Sequence, residues 1–233
     1  MFKRNKDTGL VVFWVKLKQR GYTRSISSLY NQLKKLNLKF TQLKKKSKKK
    51  TKPYIQMTFP GERVQIDVKT VPSRCIVGQF KLYQYTAIDE FSRIRFLKIY
   101  GEKSTYTSYK FLLEVIKRFP FKIYTVRTDN GAEFTKRLIS KDPNDITIFE
   151  LGLKKNNIRH DLIKPYTPKH NGKVERSHRK DNERFYATHR FFSLEDANKQ
   201  LQEYLKEYNK FPMQPLNWKS PNEMLRDYFN KLK

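Results

Sequence analysis

The sequence predicts an α/β protein in which a mixed sheet is flanked by helices and preceded by a small pair of helices. Residues 64–69 alternate apolar and polar side chains, which is the period of a half-buried strand. Further strand-like stretches alternate with stretches whose apolar residues recur at helical spacing. The sequence contains neither a glycine-rich dinucleotide motif nor a phosphate-loop lysine motif, so a nucleotide-binding fold is not expected.

The N-terminal segment shows two helical patterns. Apolar residues at helical spacing in residues 9–19 and 25–37 predict two short helices, with Gly21 in the break between them. This arrangement is typical of a helix-turn-helix, whose second helix enters the major groove of DNA. We therefore predict a helix-turn-helix DNA-binding segment over residues 1–42, although an ordinary helical hairpin packed on the main domain has the same pattern. The outward face of the second helix would comprise Ser27, Ser28, Asn31, Gln32 and Lys35.

Residues 43–58 are predicted to form a basic linker. They contain the run LKKKSKKKTKP, which is too highly charged to fold by itself and is typical of a solvated tether. Ammonium groups at this density also suit the phosphates of a nucleic acid. The lysines predicted to bind DNA are Lys44, Lys45, Lys46, Lys48, Lys49 and Lys50.

Residues 59–233 are predicted to form the main domain, which ends in a helical extension. The first three strands follow one another closely and would be antiparallel. The predicted strands cover residues 64–69, 81–89, 93–100, 122–128 and 157–162. Helices are predicted from about residue 104 to 120, over 146–156, and in two later segments, one of which begins at about residue 171.

The charge balance indicates a polyanionic partner. The chain carries 51 Lys and Arg against 22 Asp and Glu, a formal net charge of +29. Such self-repulsion is relieved by a polyanion, and we predict double-stranded DNA. An acidic membrane is the rival partner, but no run approaches the ~18 apolar residues of a spanning helix. The single cysteine, Cys75, excludes an internal disulfide, and the N-terminus lacks the pattern of a signal peptide.

Three acidic residues suit the chemistry of phosphodiester cleavage. That reaction needs charge neutralisation on the attacking and leaving oxygens, which two divalent cations held by carboxylates provide. Asp67 lies within the first predicted strand, and Asp129 follows a later strand just before an Asn130-Gly131 turn. Glu175 falls one turn into a helix that Asn171 is able to cap. Basic residues surround it on that helix, as a DNA-binding surface requires.

The runs QIDVK, AIDEFSR, RTDNGAEF and PYTPKHNGKVER resemble the catalytic core of DDE-type transposases and retroviral-type integrases. The resemblance covers about residues 60–230 and is closest to the bacterial insertion-sequence branch. It implies a ribonuclease H-like fold in which Asp67, Asp129 and Glu175 are the catalytic residues. It also implies that these three acids bind two Mg²⁺ or Mn²⁺ ions.

One spacing departs from the family. Between Asp129 and Glu175 lie 45 residues (175 − 129 − 1), more than the family usually has. The surplus is assigned to a loop inserted within KRLISKDPNDIT, because insertions in surface loops cost little closure entropy. Glu133 and Glu183 remain alternatives for the third acid. Asp89 is interpreted as a structural turn residue.

The resemblance sets the functional expectation. We expect a transposase that cleaves and joins DNA for an insertion sequence, acting as a homo-oligomer on element ends and target DNA. The expected location is the bacterial cytoplasm, in association with the nucleoid. A nuclease on the same fold and a catalytically silent DNA-binding derivative are the alternatives. Near the acids, the residues predicted to contact DNA are Asn130, His170, Lys173, Arg176, Arg179 and Lys180.

Overall fold

The computed structural model describes residues 1–40, 56–140, 142, 144–163 and 172–232. The six linker lysines predicted to bind DNA lie outside these ranges, and so does His170. Their predicted roles therefore stay predictions.

A mixed five-stranded sheet forms the centre of the molecule. Its strands are β1 (Val64–Thr70), β2 (Tyr83–Asp89), β3 (Arg95–Tyr100), β4 (Thr125–Thr128) and β5 (Arg159–Leu162). They lie side by side in the order β3-β2-β1-β4-β5. The first three are antiparallel, whereas β4 is parallel to β1 and β5 is parallel to β4. The predicted mixed sheet and its antiparallel hairpins are confirmed.

Seven α-helices accompany the sheet in the described ranges. They are α1 (Leu10–Lys18), α2 (Ile26–Lys35), α3 (Thr105–Arg118), α4 (Ile148–Lys155), α5 (Gly172–Arg184), α6 (Leu194–Asn209) and α7 (Pro221–Asn230). Helix α5 lies against β1 and β2, α6 lies along β3, and α3 packs on α4. The core between them is aromatic-rich, as the composition indicates, and includes Tyr85, Phe111 and Phe149 with no exposed surface.

Strands β2 to β5 each begin two or three residues later than predicted, and for β4 and β5 the structure shows the reason. Strand β4 starts at Thr125, because the Tyr124 amide donates to the Gly61 carbonyl (2.8 Å) and holds the preceding residues in a loop. Strand β5 starts at Arg159, because α4 ends at Lys155 and the left-handed conformation of Asn157 (φ 53°) reverses the chain first.

The predicted N-terminal helices are present as α1 and α2. Ser25 caps α2 through the Ser28 amide, and Phe13, Leu29 and Leu33 form a small separate core. The pair contacts the main domain, where Asp7 lies 3.9 Å from Arg184 and Gln19 lies 3.3 Å from Glu223. A packed helical hairpin is therefore what the structure shows. Its role in reading DNA stays a prediction.

A buried ion pair fastens α5 to the sheet. The Arg95 guanidinium on β3 donates to both carboxylate oxygens of Asp181 at 2.8 and 2.9 Å, and neither side chain is exposed. Gln84 and the Tyr204 hydroxyl each donate to the same carboxylate at 2.9 Å. Burial opposes ionisation of Asp181, but Arg95 and then Lys69 outweigh it and lower its pKa.

Asp181→Ala should lower the free energy of unfolding by about 3–5 kcal/mol, because it leaves Arg95 as a buried charge without its counterion. Urea denaturation at pH 7 measures this loss. Because the folded-state pKa of Asp181 is depressed, its contribution is present above pH ~4 and is lost as the pH falls through the folded pKa.

The control for this change is Glu203→Ala, which removes a solvent-exposed partner of Lys206. It should alter the free energy of unfolding by less than about 1 kcal/mol. Equal losses from the two substitutions would show that the buried pair does not anchor α5.

Candidate active site

Strand register brings Asp67 and Asp129 to the same level. Parallel β1 and β4 pair Val64 with Val126 and Gln65 with Arg127. Asp67 lies in β1, three residues beyond Val64, and Asp129 lies three residues beyond Val126, directly after the end of β4. Neighbouring strands are about 4.8 Å apart. Because side chains alternate along a strand, both carboxylates also fall on the same face. Two residues separated by 61 positions in the sequence therefore form an acidic pair.

The Asp67 carboxylate is partly withdrawn from solvent. Its Oδ1 accepts from the Val68 amide at 2.9 Å, and its Oδ2 lies 3.5 Å from Nδ1 of His178 on α5. Burial raises the pKa of Asp67 to about 7, and the charges of Asp129 and Glu133 add to this increase. Burial also lowers the pKa of His178 to about 3, so the imidazole is neutral at pH 7 and this contact is not an ion pair.

A tight turn orients Asp129. The Gly131 amide donates to Asp129 Oδ1 at 3.0 Å, as in an Asx turn, and Thr128 Oγ1 donates to the Asp129 carbonyl at 2.8 Å. Asn130, predicted to contact DNA, donates its side-chain amide to the Ile163 carbonyl at 2.7 Å. In this structure Asn130 therefore connects the turn to the end of β5.

Glu133 lies near enough to the aspartate pair for its charge to act on Asp67. The chain turns after Asp129, with the Phe134 and Thr135 amides both donating to the Gly131 carbonyl. This turn packs the Glu133 carboxylate against Gly131, where an added Cβ would meet it at 2.7 Å. Glu133 is buried and contributes to the raised pKa of Asp67.

Glu175 is not grouped with Asp67 and Asp129. It lies exposed in the first turn of α5 and lines an open surface cleft with Gly172, Arg176 and Arg179. It is not among the groups that most strongly shift the pKa of Asp67. Within the described ranges, no three acidic, histidine or cysteine side chains are grouped closely enough to hold one metal ion. The structure thus brings Asp67 and Asp129 together but does not bring Glu175 to them.

The start of α5 is held to the sheet by a buried carboxylate. Lys173, predicted to contact DNA, donates to the carbonyl and the carboxylate of Glu90 at 2.8 and 3.2 Å. Arg63 also binds the Glu90 carboxylate, and the Val174 amide donates to Gln65 at 3.2 Å. Burial, followed by the charge of Arg93, lowers the pKa of Lys173 to about 8. Lys173 therefore has an internal structural contact that the sequence did not indicate.

The other predicted DNA contacts on α5 differ in exposure. Arg176 and Arg179 are exposed beside Glu175, and Arg179 lies 3.7 Å from Glu183. Lys180 is partly buried, and desolvation lowers its pKa to about 8. Glu183, the other alternative acid, is exposed and lies two turns beyond Glu175 on α5.

Asp89 has the structural role expected of it. It is fully buried and accepts hydrogen bonds from the Gly61 amide (2.9 Å) and from the amide and hydroxyl of Ser92 (2.7 and 2.6 Å). These bonds close the turn between β2 and β3.

The acidic pair is chemically suited to a divalent cation. Carboxylate oxygens are the ligands that Mg²⁺ and Mn²⁺ prefer. Burial is the main cause of the raised pKa of Asp67, and a bound cation would relieve the repulsion from Asp129 that adds to it. Separately, none of the described helices combines the length and apolar character needed to cross a membrane.

Known integrase sequences match most of the main domain. Two family models, each described as an integrase core domain, match residues 58–168 and 156–221. The chain is 29% identical over 170 residues to a putative integrase, ORF3, of Spiroplasma virus SpV1-C74, which covers 70% of this chain and 47% of the viral protein. It is 33% identical over 131 residues to the retrovirus-related Pol polyprotein from transposon RE1 of Arabidopsis thaliana, covering 54% of this chain and 8% of the polyprotein. The chain therefore spans about half of the viral protein and a small part of the polyprotein.

Solved structures with the same fold include three retroviral proteins. The catalytic core of BIV integrase superposes with a TM-score of 0.53 at 20% identity, covering 74% of this chain and 99% of that one. The HTLV-2 integrase core in complex with magnesium gives 0.51 at 18% identity, with coverages of 71% and 96%. The simian T-cell lymphotropic virus intasome gives 0.55 at 16% identity, with coverages of 73% and 56%.

These structural similarities confirm the predicted ribonuclease H-like fold of the main domain. The sequence matches extend over the strands that carry Asp67 and Asp129 and over the helix that carries Glu175. The chain therefore belongs to the integrase core-domain family, and residues 58–221 form a catalytic core of the integrase and transposase type.

Proposed function

We propose that this chain is a DDE-type transposase that catalyses metal-dependent DNA cleavage and strand transfer for an insertion sequence. The observation that carries the proposal is the pairing of Asp67 with Asp129 at one level of the sheet in a chain of net charge +29. The acidic pair suits divalent cations, and the excess of basic residues suits DNA.

The two proposed steps are in-line displacements at phosphorus. When bound, two Mg²⁺ or Mn²⁺ ions would activate the attacking oxygen and neutralise the leaving oxygen. Asp67 and Asp129 would hold these ions, and Asp67 would have to lose its proton as it does so. Water would attack in cleavage, and the released 3′-hydroxyl would attack target DNA in strand transfer. The same carboxylates would serve both steps, because each step is an in-line displacement at phosphorus that develops charge on an attacking and a leaving oxygen.

Glu175 would complete the triad by moving toward the aspartates. The helix behind it is already fixed by the Asp181–Arg95 pair and by Lys173 on Glu90. Since Lys173 also fixes the first turn of α5, the required movement is limited to the Glu175 side chain. Because Arg176 and Arg179 lie beside it in the cleft, DNA phosphates arriving there would neutralise the positive charge that now faces Glu175.

The proposed partners are element-end DNA, target DNA and further copies of the chain. Joining two ends requires two active sites, so we propose a homo-oligomer assembled on DNA. Beyond Arg176 and Arg179, the proposed DNA contacts are Asn130, His170, Lys173, Lys180, Lys44, Lys45, Lys46, Lys48, Lys49 and Lys50.

The exposed position of Glu175 favours a second candidate function, a catalytically silent DNA-binding protein derived from a transposase. Such a protein would bind terminal-repeat DNA but would neither cleave nor join it. Pre-cleaved oligonucleotides distinguish three cases: a transposase joins them to a target, a nuclease only hydrolyses them, and a silent protein leaves them intact.

Asp129→Asn should reduce cleavage and strand transfer about 1000-fold or more, because several kcal/mol of charge stabilisation are lost with the cation. DNA affinity, measured by fluorescence anisotropy, should stay the same or increase, since one negative charge is removed. Full residual activity would reject the assignment of Asp129.

Glu175→Gln should abolish both reactions to a similar extent in the same Mg²⁺ assay. Glu183→Gln is the matched control, because it removes the same charge from an exposed position of the same helix. The control should retain wild-type rates. If Glu175→Gln were as active as Glu183→Gln while Asp129→Asn was inactive, Glu175 would not be the third acid.

A further inference from the structure

Lys103 lies beside the acidic pair, in the loop between β3 and α3. Its ammonium Nζ is 2.8 Å from Oε1 of Glu133. The Lys103 side chain is 40% exposed, whereas that of Glu133 is 7% exposed, so the pair lies at the boundary between the site and solvent.

The charge of Lys103 acts on the whole acidic group. Burial lowers the pKa of Lys103, but Glu133, Asp129 and Asp67 outweigh it and raise the pKa above its usual value. In return, the ammonium opposes the increase in the pKa of Asp67. Lys103 is thus a cation placed in the field of three carboxylates.

The contact with Glu133 sets the position of the Lys103 ammonium. Its carboxylate packs on Gly131, within the same turn that orients Asp129. Because the Glu133 carboxylate is packed in this way, it has little freedom to move together with the Lys103 ammonium. The Glu133–Lys103 pair is therefore fixed relative to Asp129.

We propose that Lys103, held by Glu133, is a positioning residue of the cation site and acts as its internal counterion. Its ammonium neutralises part of the carboxylate charge before a divalent cation binds, and so lowers the affinity of the site for that cation. This inference rests on the proposed function, because it assumes that Asp67 and Asp129 bind a divalent cation.

The chain offers a matched control pair. Lys98 on β3 and Glu114 on α3 form a similar ion pair at 2.6 Å, with side chains 33% and 32% exposed. Neither Lys98 nor Glu114 is among the groups that most strongly shift the pKa of Asp67, whereas Lys103 is. Substitutions in this pair change net charge by the same amount without altering charge near the aspartates.

The test is Mn²⁺ binding to the full chain without DNA at low ionic strength, measured by electron paramagnetic resonance. Lys103→Gln should tighten binding about tenfold, the size expected when one positive charge is removed a few ångströms from a divalent ion in water. Glu133→Gln should weaken binding, because it removes a negative charge while the ammonium remains. Lys103→Arg should keep the wild-type affinity, while Lys98→Gln and Glu114→Gln should match wild type.

Two results would overturn the inference, and they differ in what else they affect. If Lys103→Gln bound Mn²⁺ no more tightly than Lys98→Gln while Asp129→Asn lost binding, the counterion role would be wrong and the proposed cation site would stand. If wild type and Asp129→Asn bound Mn²⁺ equally, the proposed function would fail as well. Thermal melting of each variant verifies that the comparison is made between folded proteins.

Discussion

The parallel pairing of β1 with β4 is the constraint on which the candidate site depends. It sets Asp67 and Asp129 at the same level although 61 positions separate them in the chain. Burial raises the pKa of Asp67, and the negative charge of Asp129 nearby adds to this increase. A sheet that places two carboxylates together at this cost is well suited to a ligand of opposite charge. The basic groups around this site are suited to bind a polyanion.

Helix α5 is held in place by polar groups that are almost entirely buried. Asp181 binds Arg95 near one end of the helix, and Glu90 binds Lys173 near the other. Buried ion pairs stabilise a fold less than their short distances imply, because both partners lose hydration. These pairs do more to fix the position of the helix than to stabilise the fold, because a shifted helix would leave a buried charge without its partner. The helix therefore has a defined position from which Glu175 needs to move only locally.

Local sequence patterns were sufficient for most of the fold. The alternation around Asp67 predicted β1, and the break before Ser25 located the start of α2, because each signal depends on neighbours in the chain. The late start of β4 was not predictable, since it depends on a hydrogen bond between Tyr124 and the distant Gly61. The contact of Lys173 with Glu90 was not predictable either, because Glu90 lies 83 positions earlier in the chain.

The site was predictable in its aspartates but not in its other charged groups. The motifs identified Asp67 and Asp129, whereas the proximity of Glu133 depends on how the chain turns at Gly131. Lys103 carries no motif and became visible only through its contact with Glu133. In a chain with 51 basic residues, sequence alone does not separate a lysine at the site from one in solvent.

The most direct measurement is the anomalous scattering of Mn²⁺ in crystals of the chain bound to terminal-repeat DNA. We expect Mn²⁺ between the carboxylates of Asp67 and Asp129, with Glu175 drawn in from its exposed position to share the coordination. Ions bound away from the two aspartates, or Glu175 still in the surface cleft with DNA in place, would contradict this account.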